Sequence, residues 1–284
     1  MKLGLALSGG GIRGIAHAGV LKALEENDIK VDIIGGTSSG GIIASLYAMG
    51  YTPHKIYTIF KKYAENIVSI NSSPLLSGIS SLIGRKKGKF IGFKTGESLE
   101  ESYINLAQNN GFEKMTDIKM PLVIPAVDIT DSKEYVFTNY IPKENNDNIK
   151  YITNIPVGRA VRASSSFPAV FCPCDFETHK FLDGGVLDNV PVKEVKKQGA
   201  SKVIAVNFEA DEIDETSNVM DIAMRSIDIM GSKISENSLG LSDYVLTIKT
   251  DKTGLLDTKN IESCYKYGYE ATIQNMKEIK KILL

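Results

Sequence analysis

Two glycine clusters stand within the first 41 of 284 residues: "SGGGIRG" at 8–14 and "GGTSSGG" at 35–41. Each follows a short apolar run and precedes a helical pattern. Glycine weakens strands and helices, so such clusters make sense where something must approach the backbone closely. Gly36-Thr37-Ser38-Ser39-Gly40 fits G-x-S-x-G, the sharp strand-to-helix turn that lifts a serine hydroxyl above a sheet edge as a nucleophile. The amide of Ser39 and the dipole of the following helix would face the same spot. In a βαβ unit the turns after neighbouring parallel strands share one edge, so the first cluster can meet a carbonyl attacked by Ser38. Gly9, Gly10 and Gly11 are therefore read as an oxyanion hole. Arg13 opposes the helix dipole at this position and is read as charge support for the anionic site.

A serine nucleophile needs a base. His17 lies inside the first helix pattern and reads as packed, while His54 follows Pro53 at a helix start and reads as surface. Ser38, Asp128 and His179 occur in the chain order of a Ser-Asp-His triad, with Asp128 ending the strand "PLVIPAVDI". Asp183-Gly184-Gly185, in "FLDGGVLDNVPV", has the composition of a tight hairpin turn, where an exposed carboxylate can be aimed. Asp188 follows five residues later as a further carboxylate. A different chemistry also fits: Gly9-x-Gly11-x-x-Gly14 matches the dinucleotide fingerprint, with Asp32 beyond it, which makes a nucleotide-binding oxidoreductase the alternative. Asp32, however, precedes Ile33 and Ile34, at the wrong end of its strand for a ribose contact. A P-loop fits less well, because no Gly-Lys-Ser/Thr follows either cluster.

The elements that must position these groups alternate. Strand, glycine turn and helix appear twice in the first third, and further strands are expected in "MPLVIPAVDIT", "KEYVFTN", "SKVIAVNFEA" and "DYVLTIKT". Helices are expected over 53–65, 97–109, 216–235 and 259–282. This is the pattern of an α/β fold, a mostly parallel central sheet flanked by helices in three layers, with the site at the carboxyl edges of the first two strands. One domain over 1–284 is expected. Residues 66–96 carry no clear period and read as a connection or lid; within them Arg85, Lys86, Lys87 and Lys89, beside Leu75-Leu76 and Leu82-Ile83, suggest contact with an anionic membrane surface.

A formal charge of -1 gives no reason to expect nucleic acid as a partner. Cys172, Cys174 and Cys264 are too few and odd in number for a disulfide framework, which points to a reducing compartment. With His179 they match no common zinc spacing, so no metal is expected. The opening Met1-Lys2 and five-residue apolar run fall short of a signal peptide, and no stretch approaches the ~20 apolar residues of a membrane span. A cytoplasmic protein, peripheral to membranes if it touches them, is the expectation.

Taken together, "GGGIRG" at 9–14, "GTSSG" at 36–40 and "DGGVLDNVPV" at 183–192 resemble, in order, the glycine-rich, nucleophile and aspartate motifs of the patatin-like phospholipases. "ASSSFPAVFCP" at 163–173 is similar to a further segment of that family, and the resemblance runs from residue 3 to about residue 210. It implies a Ser-Asp dyad in which Ser38 is the nucleophile and Asp183 takes its proton. It further implies a phospholipid or lysophospholipid substrate, an acyl-enzyme intermediate, and no cofactor. The oligomeric state is left open.

Overall fold

The computed structural model describes residues 1–69, 95–143, 149–168, 170–209, 219–250, 253 and 258–284. The basic cluster at 85–89 and its flanking apolar pairs lie outside the described residues. Alternation of leucine with small residues makes "LGLAL" a strand with two different faces: Leu3, Leu5 and Leu7 enter one core, Ala6 the other.

The strands among the described residues form one mixed sheet. β1 (Leu3–Leu7) lies centrally, parallel to β2 (Ile33–Gly36) on one side and β8 (Lys202–Phe208) on the other. β3 (Leu122–Asp128) continues in parallel beyond β2, and β9 (Tyr244–Ile248) beyond β8. The order then turns mixed. β4 (Lys133–Thr138) returns antiparallel to β3 as a hairpin and carries β5 (Lys150–Ile152) on its outer edge. β7 (His179–Asp183) also runs antiparallel to β3, pairing Ala126 with Asp183, and β6 (Cys174–Phe176) pairs with β7. β1 to β4, β8 and β9 fall on the strands expected from the sequence, whereas the three-residue β5 and β6 and the short β7 are too brief for a two-residue period to stand out.

Helices cover both faces. On the face with the larger core lie α1 (Ala16–Glu25), α2 (Ser39–Ala48), α3 (Pro53–Ser69), α4 (Glu97–Asn109), α5 (Val157–Ser164) and α8 (Ile261–Gln274). The expected helix over 259–282 breaks at Asn275, after which α9 runs from Met276 to Ile282. On the other face α6 (Val192–Lys197) packs Val192 and Val195 against Ala6, Ile33 and Val203, and α7 (Val219–Gly240) adds Leu239. Leu5, Leu7, Ile34, Phe137 and Phe181 are fully buried. Each contributes about 1.5–3 kcal/mol relative to an exposed side chain, so the strand edges above this core are held firmly. No helix among the described residues is long and apolar enough to cross a membrane.

Candidate active site

At the carboxyl edge of β2 the chain turns within two residues from strand to α2. Ser38, the residue before that helix, has φ 54° and ψ −120°. That conformation is strained for a residue with a Cβ by about 1–3 kcal/mol and persists only where its surroundings fix it. The flanking glycines make the turn feasible by allowing two strands of backbone to touch. A Cβ on Gly36 would lie 2.3 Å from the carbonyl carbon of Gly40, and one on Gly40 would lie 2.5 Å from Leu7 O. Thr37 ties the turn to neighbours on both sides, through its amide to Leu7 O at 3.1 Å and through Oγ1 to Asp188 O at 2.8 Å.

Asp183 arrives from the opposite direction as the last residue of β7. The hairpin expected at Asp183-Gly184-Gly185 does not form: the strand runs into a single 3-10 turn over Gly184–Val186, capped by the Asp183 carboxylate through Gly185 N at 2.9 Å. Nor is the carboxylate exposed, since Asp183 is only 3% accessible. Burial raises its pKa to about 6, against the lowering effect of the Ser38 hydroxyl and the Gly185 amide. Its second oxygen, Oδ2, has no hydrogen-bond partner. Ser38 and Asp183 line the same cavity, about 1000 Å³ including its open mouth, with apolar walls from Ile42, Phe60, Tyr63, Val170 and Phe171.

The glycine loop after β1 closes the third side. Gly9, Gly10 and Gly11 all line the cavity, but they are not equivalent. The Gly9 amide is already engaged by Asn189, at 3.2 Å to its carbonyl and 3.1 Å to Oδ1. This corrects its assignment as an oxyanion donor; Gly9 is an anchor for the loop. Arg13 is corrected too. Neither reaching into water nor lining the cavity, it is buried, its amide and Nε donate to Gly10 O at 3.2 and 3.3 Å, and its guanidinium lies over the Phe208 ring at 5.5 Å. In a trans peptide the C=O and N–H point opposite ways, so holding the Gly10 carbonyl on Arg13 turns the Gly11 N–H away from Arg13.

The histidine alternative is not assembled. His179 Nδ1 does meet Asp128 Oδ2 at 2.5 Å. Burial alone would raise the Asp128 carboxyl, but hydrogen bonds from Thr130, His179 and Lys180 outweigh it and hold the pKa below the usual carboxylate value. This pair lines no part of the Ser38 cavity. His179 stands four residues from Asp183 along β7, about 13 Å of extended chain, with the Phe181 ring between. His17 is buried and neutral, its Nε2 donating to Ser8 O at 2.9 Å while burial lowers its pKa to about 4; His54 is exposed. Asp188, whose pKa is raised chiefly by burial and then by Glu194, does not line the cavity. Asp32 accepts from Leu3 N at 3.0 Å at the amino edge of the sheet, opposite the glycine loop, where it cannot serve a nucleotide on that loop. Among the described residues no group of three metal-ligating side chains forms.

The sequence from residue 5 to 196 matches the family model for patatin-like phospholipase. The chain belongs to the patatin-like phospholipases. Its similarity extends to named fungal proteins: it is 32% identical over 206 residues to the lysophospholipase NTE1 of Meyerozyma guilliermondii and 33% identical over 207 residues to that of Candida albicans. Each alignment covers 72% of this chain but only 12% and 13% of those much longer proteins. In fold it resembles VipD from Legionella pneumophila (TM-score 0.50, 15% identity, 98% of this chain and 67% of that one). Human GIVD cytosolic phospholipase A2 is similar to the same degree (TM-score 0.50, 9% identity, 99% and 58%). For this patatin-like chain the sequence reading missed Asn189 and the aromatic wall of α3. Asn189 was within the "DGGVLDNVPV" motif already singled out, whereas Phe60 and Tyr63 look like any apolar helix stripe.

Proposed function

We propose that this patatin-like chain is a serine lipid acyl hydrolase, of phospholipase A or lysophospholipase type. The observation that carries the reading is the meeting of the strained Ser38 with the buried, half-satisfied Asp183 in one apolar-walled cavity. A fatty-acyl chain suits such apolar walls. The names of the fungal relatives support a lysophospholipid among the substrates.

In this mechanism Ser38 Oγ attacks the ester carbonyl carbon while Asp183 Oδ2 accepts its proton. Negative charge on the carbonyl oxygen is met by the Gly10 and Gly11 amides. Collapse breaks the ester C–O bond, and the departing oxygen takes the proton from Asp183, leaving an acyl group on Ser38. Water then attacks this acyl-enzyme, Asp183 takes the water's proton, and the second collapse returns the proton to Ser38 and frees the fatty acid. A carboxylate is an inefficient base when its pKa is near 4; burial of Asp183 moves it closer to the operating range.

The test is fatty-acid release from mixed micelles of phospholipid and lysophospholipid, with the headgroup still attached to the alcohol product. A folded protein that cleaves no acyl ester would overturn the reading. Two substitutions sharpen it. His179→Ala is expected to keep kcat within about twofold, because His179 is outside the cavity, while destabilising the fold by about 1–3 kcal/mol through the lost partner of buried Asp128; loss of activity in folded His179→Ala would instead favour the triad. Arg13→Gln should lower kcat by about 10- to 100-fold at nearly constant KM, somewhat less than deleting an oxyanion donor outright, because Arg13 acts through the Gly10 peptide.

A further inference from the structure

The segment "ASSSFPAVFCP" resembles part of the family pattern, yet the chemistry above gives its serines nothing to do. Two of them touch both halves of the dyad. Ser164, the last residue of α5, accepts the Ser38 N–H on Oγ at 3.0 Å. Ser166 accepts the Asp183 N–H on its carbonyl at 3.1 Å. The main chains of nucleophile and base, which reach the site from different strands, are thus held by one helix end.

That helix end is itself fixed. The Ser166 hydroxyl donates to Arg162 O at 2.9 Å and accepts from Arg162 Nη1 at 2.5 Å. Arg162 is 2% exposed, and its other donors go to Thr95 O and, at 2.7 Å, to Cys172 O. No carboxylate among the described residues pairs with it. A buried cation without a counter-charge is unfavourable in itself. What a guanidinium offers here is a rigid planar fork, able to lock Thr95, Ser166 and Cys172 at fixed angles around the end of α5.

We propose that Ser164, Ser166 and Arg162 are positioning residues that set Ser38 and Asp183 relative to each other. The proposal rests on the acyl-hydrolase reading. The backbone of Ser38 is strained and needs its surroundings to hold it; Ser164 supplies the hydrogen bond to its amide. Without that acceptor the Thr37–Ser38 peptide relaxes and the hydroxyl moves away from Asp183. A displacement of about 1 Å in such a site can reduce rate on the order of 100-fold.

The experiment compares Ser164→Ala, Ser164→Thr and Arg162→Lys with Thr272→Val, a matched loss of a buried hydroxyl that donates to Gly268 O on α8 and does not line the cavity. Readouts are kcat, KM, the rate of covalent labelling of Ser38 by an alkyl fluorophosphonate, and Tm. Ser164→Ala should lower kcat and labelling together by about 10- to 100-fold with KM within about twofold, and Ser164→Thr, which keeps the acceptor, should recover most of both. Arg162→Lys should lower kcat and displace the acid limb of the pH profile, because it frees the chain that holds Asp183. Thr272→Val should lose Tm but not kcat. Wild-type kcat and labelling in Ser164→Ala, or loss of kcat in Thr272→Val in step with Tm, would overturn the positioning role. If the folded wild type neither releases fatty acid nor labels at Ser38, the acyl-hydrolase reading falls and takes this proposal with it; an active wild type with an unaffected Ser164→Ala removes the positioning role alone.

Discussion

Ser38→Ala is expected to reduce fatty-acid release by at least about 10,000-fold, and to end labelling by a fluorophosphonate, with the fold intact. The size follows from the role. Among the described residues no other hydroxyl in the cavity stands on a strained strand-to-helix turn beside an unpaired carboxylate oxygen, so removing Ser38 Oγ removes the covalent route and leaves only water. Stability should respond differently to two replacements. Alanine keeps the Cβ and therefore the strain at φ 54°, so Tm should hardly move. Ser38→Gly removes that penalty and should stabilise the protein by roughly 1 kcal/mol, after allowance for the greater freedom of glycine in the unfolded chain. Thermal unfolding and labelling, measured on the same samples, check both parts. A Ser38→Ala enzyme that retains more than a few per cent of wild-type release would remove Ser38 as nucleophile.

Asp183→Asn is expected to lower kcat by about 100- to 10,000-fold and, at the same time, to raise stability at neutral pH. The two effects have one cause. Burial holds the Asp183 pKa at about 6, above the ordinary value of about 3.9, so the folded protein disfavours the ionised form. Stability from this group is therefore fully present below about pH 3.9 and is lost as pH rises through about 6, a difference on the order of 3 kcal/mol. Catalysis runs the other way, since only the ionised carboxylate can accept the Ser38 proton. Wild-type kcat should fall as pH drops through about 6. The Asn variant, uncharged at every pH, should show no such inflection, and should be more stable than wild type at pH 8 but not at pH 4. Steady-state rates and Tm across pH 4–9 measure this. An unchanged acid limb in Asp183→Asn would mean that another group governs the rate.

The strand-to-helix turn at Ser38 was legible in the sequence because its demands are local. Only glycine permits the close crossings at positions 36 and 40, and only a strand before and a helix after give Ser38 its exposure, so the pentapeptide in that context announced the geometry. The parallel core was legible for a similar reason: Leu3, Leu5 and Leu7 alternate with smaller residues in one five-residue strand. Legibility failed where partners are remote in the chain. The apparent hairpin at Asp183-Gly184-Gly185 has hairpin composition, but β7 pairs with β3, leaving no returning strand for it to join. Gly9 looked like a donor until Asn189 took its amide, and Arg13 looked like a surface or site charge until the Gly10 carbonyl claimed it.

By itself, then, the sequence determined the α/β alternation and the two glycine turns at one sheet edge, with Ser38 on the second of them, all set by spacing within about forty residues. Residue types left the base undecided between Asp183, Asp188 and the Asp128–His179 pair, and family resemblance pointed to the first. Tertiary structure puts only the first of these against the Ser38 cavity. Pairing of β7 with β3 brings Asp183 into the Ser38 cavity while Phe181 keeps His179 apart, and burial at that point shifts the carboxyl toward a useful base. Proximity of that kind depends on strand register between distant segments, and electrostatic environment depends on what the whole fold excludes from water, so neither is written in a local pattern.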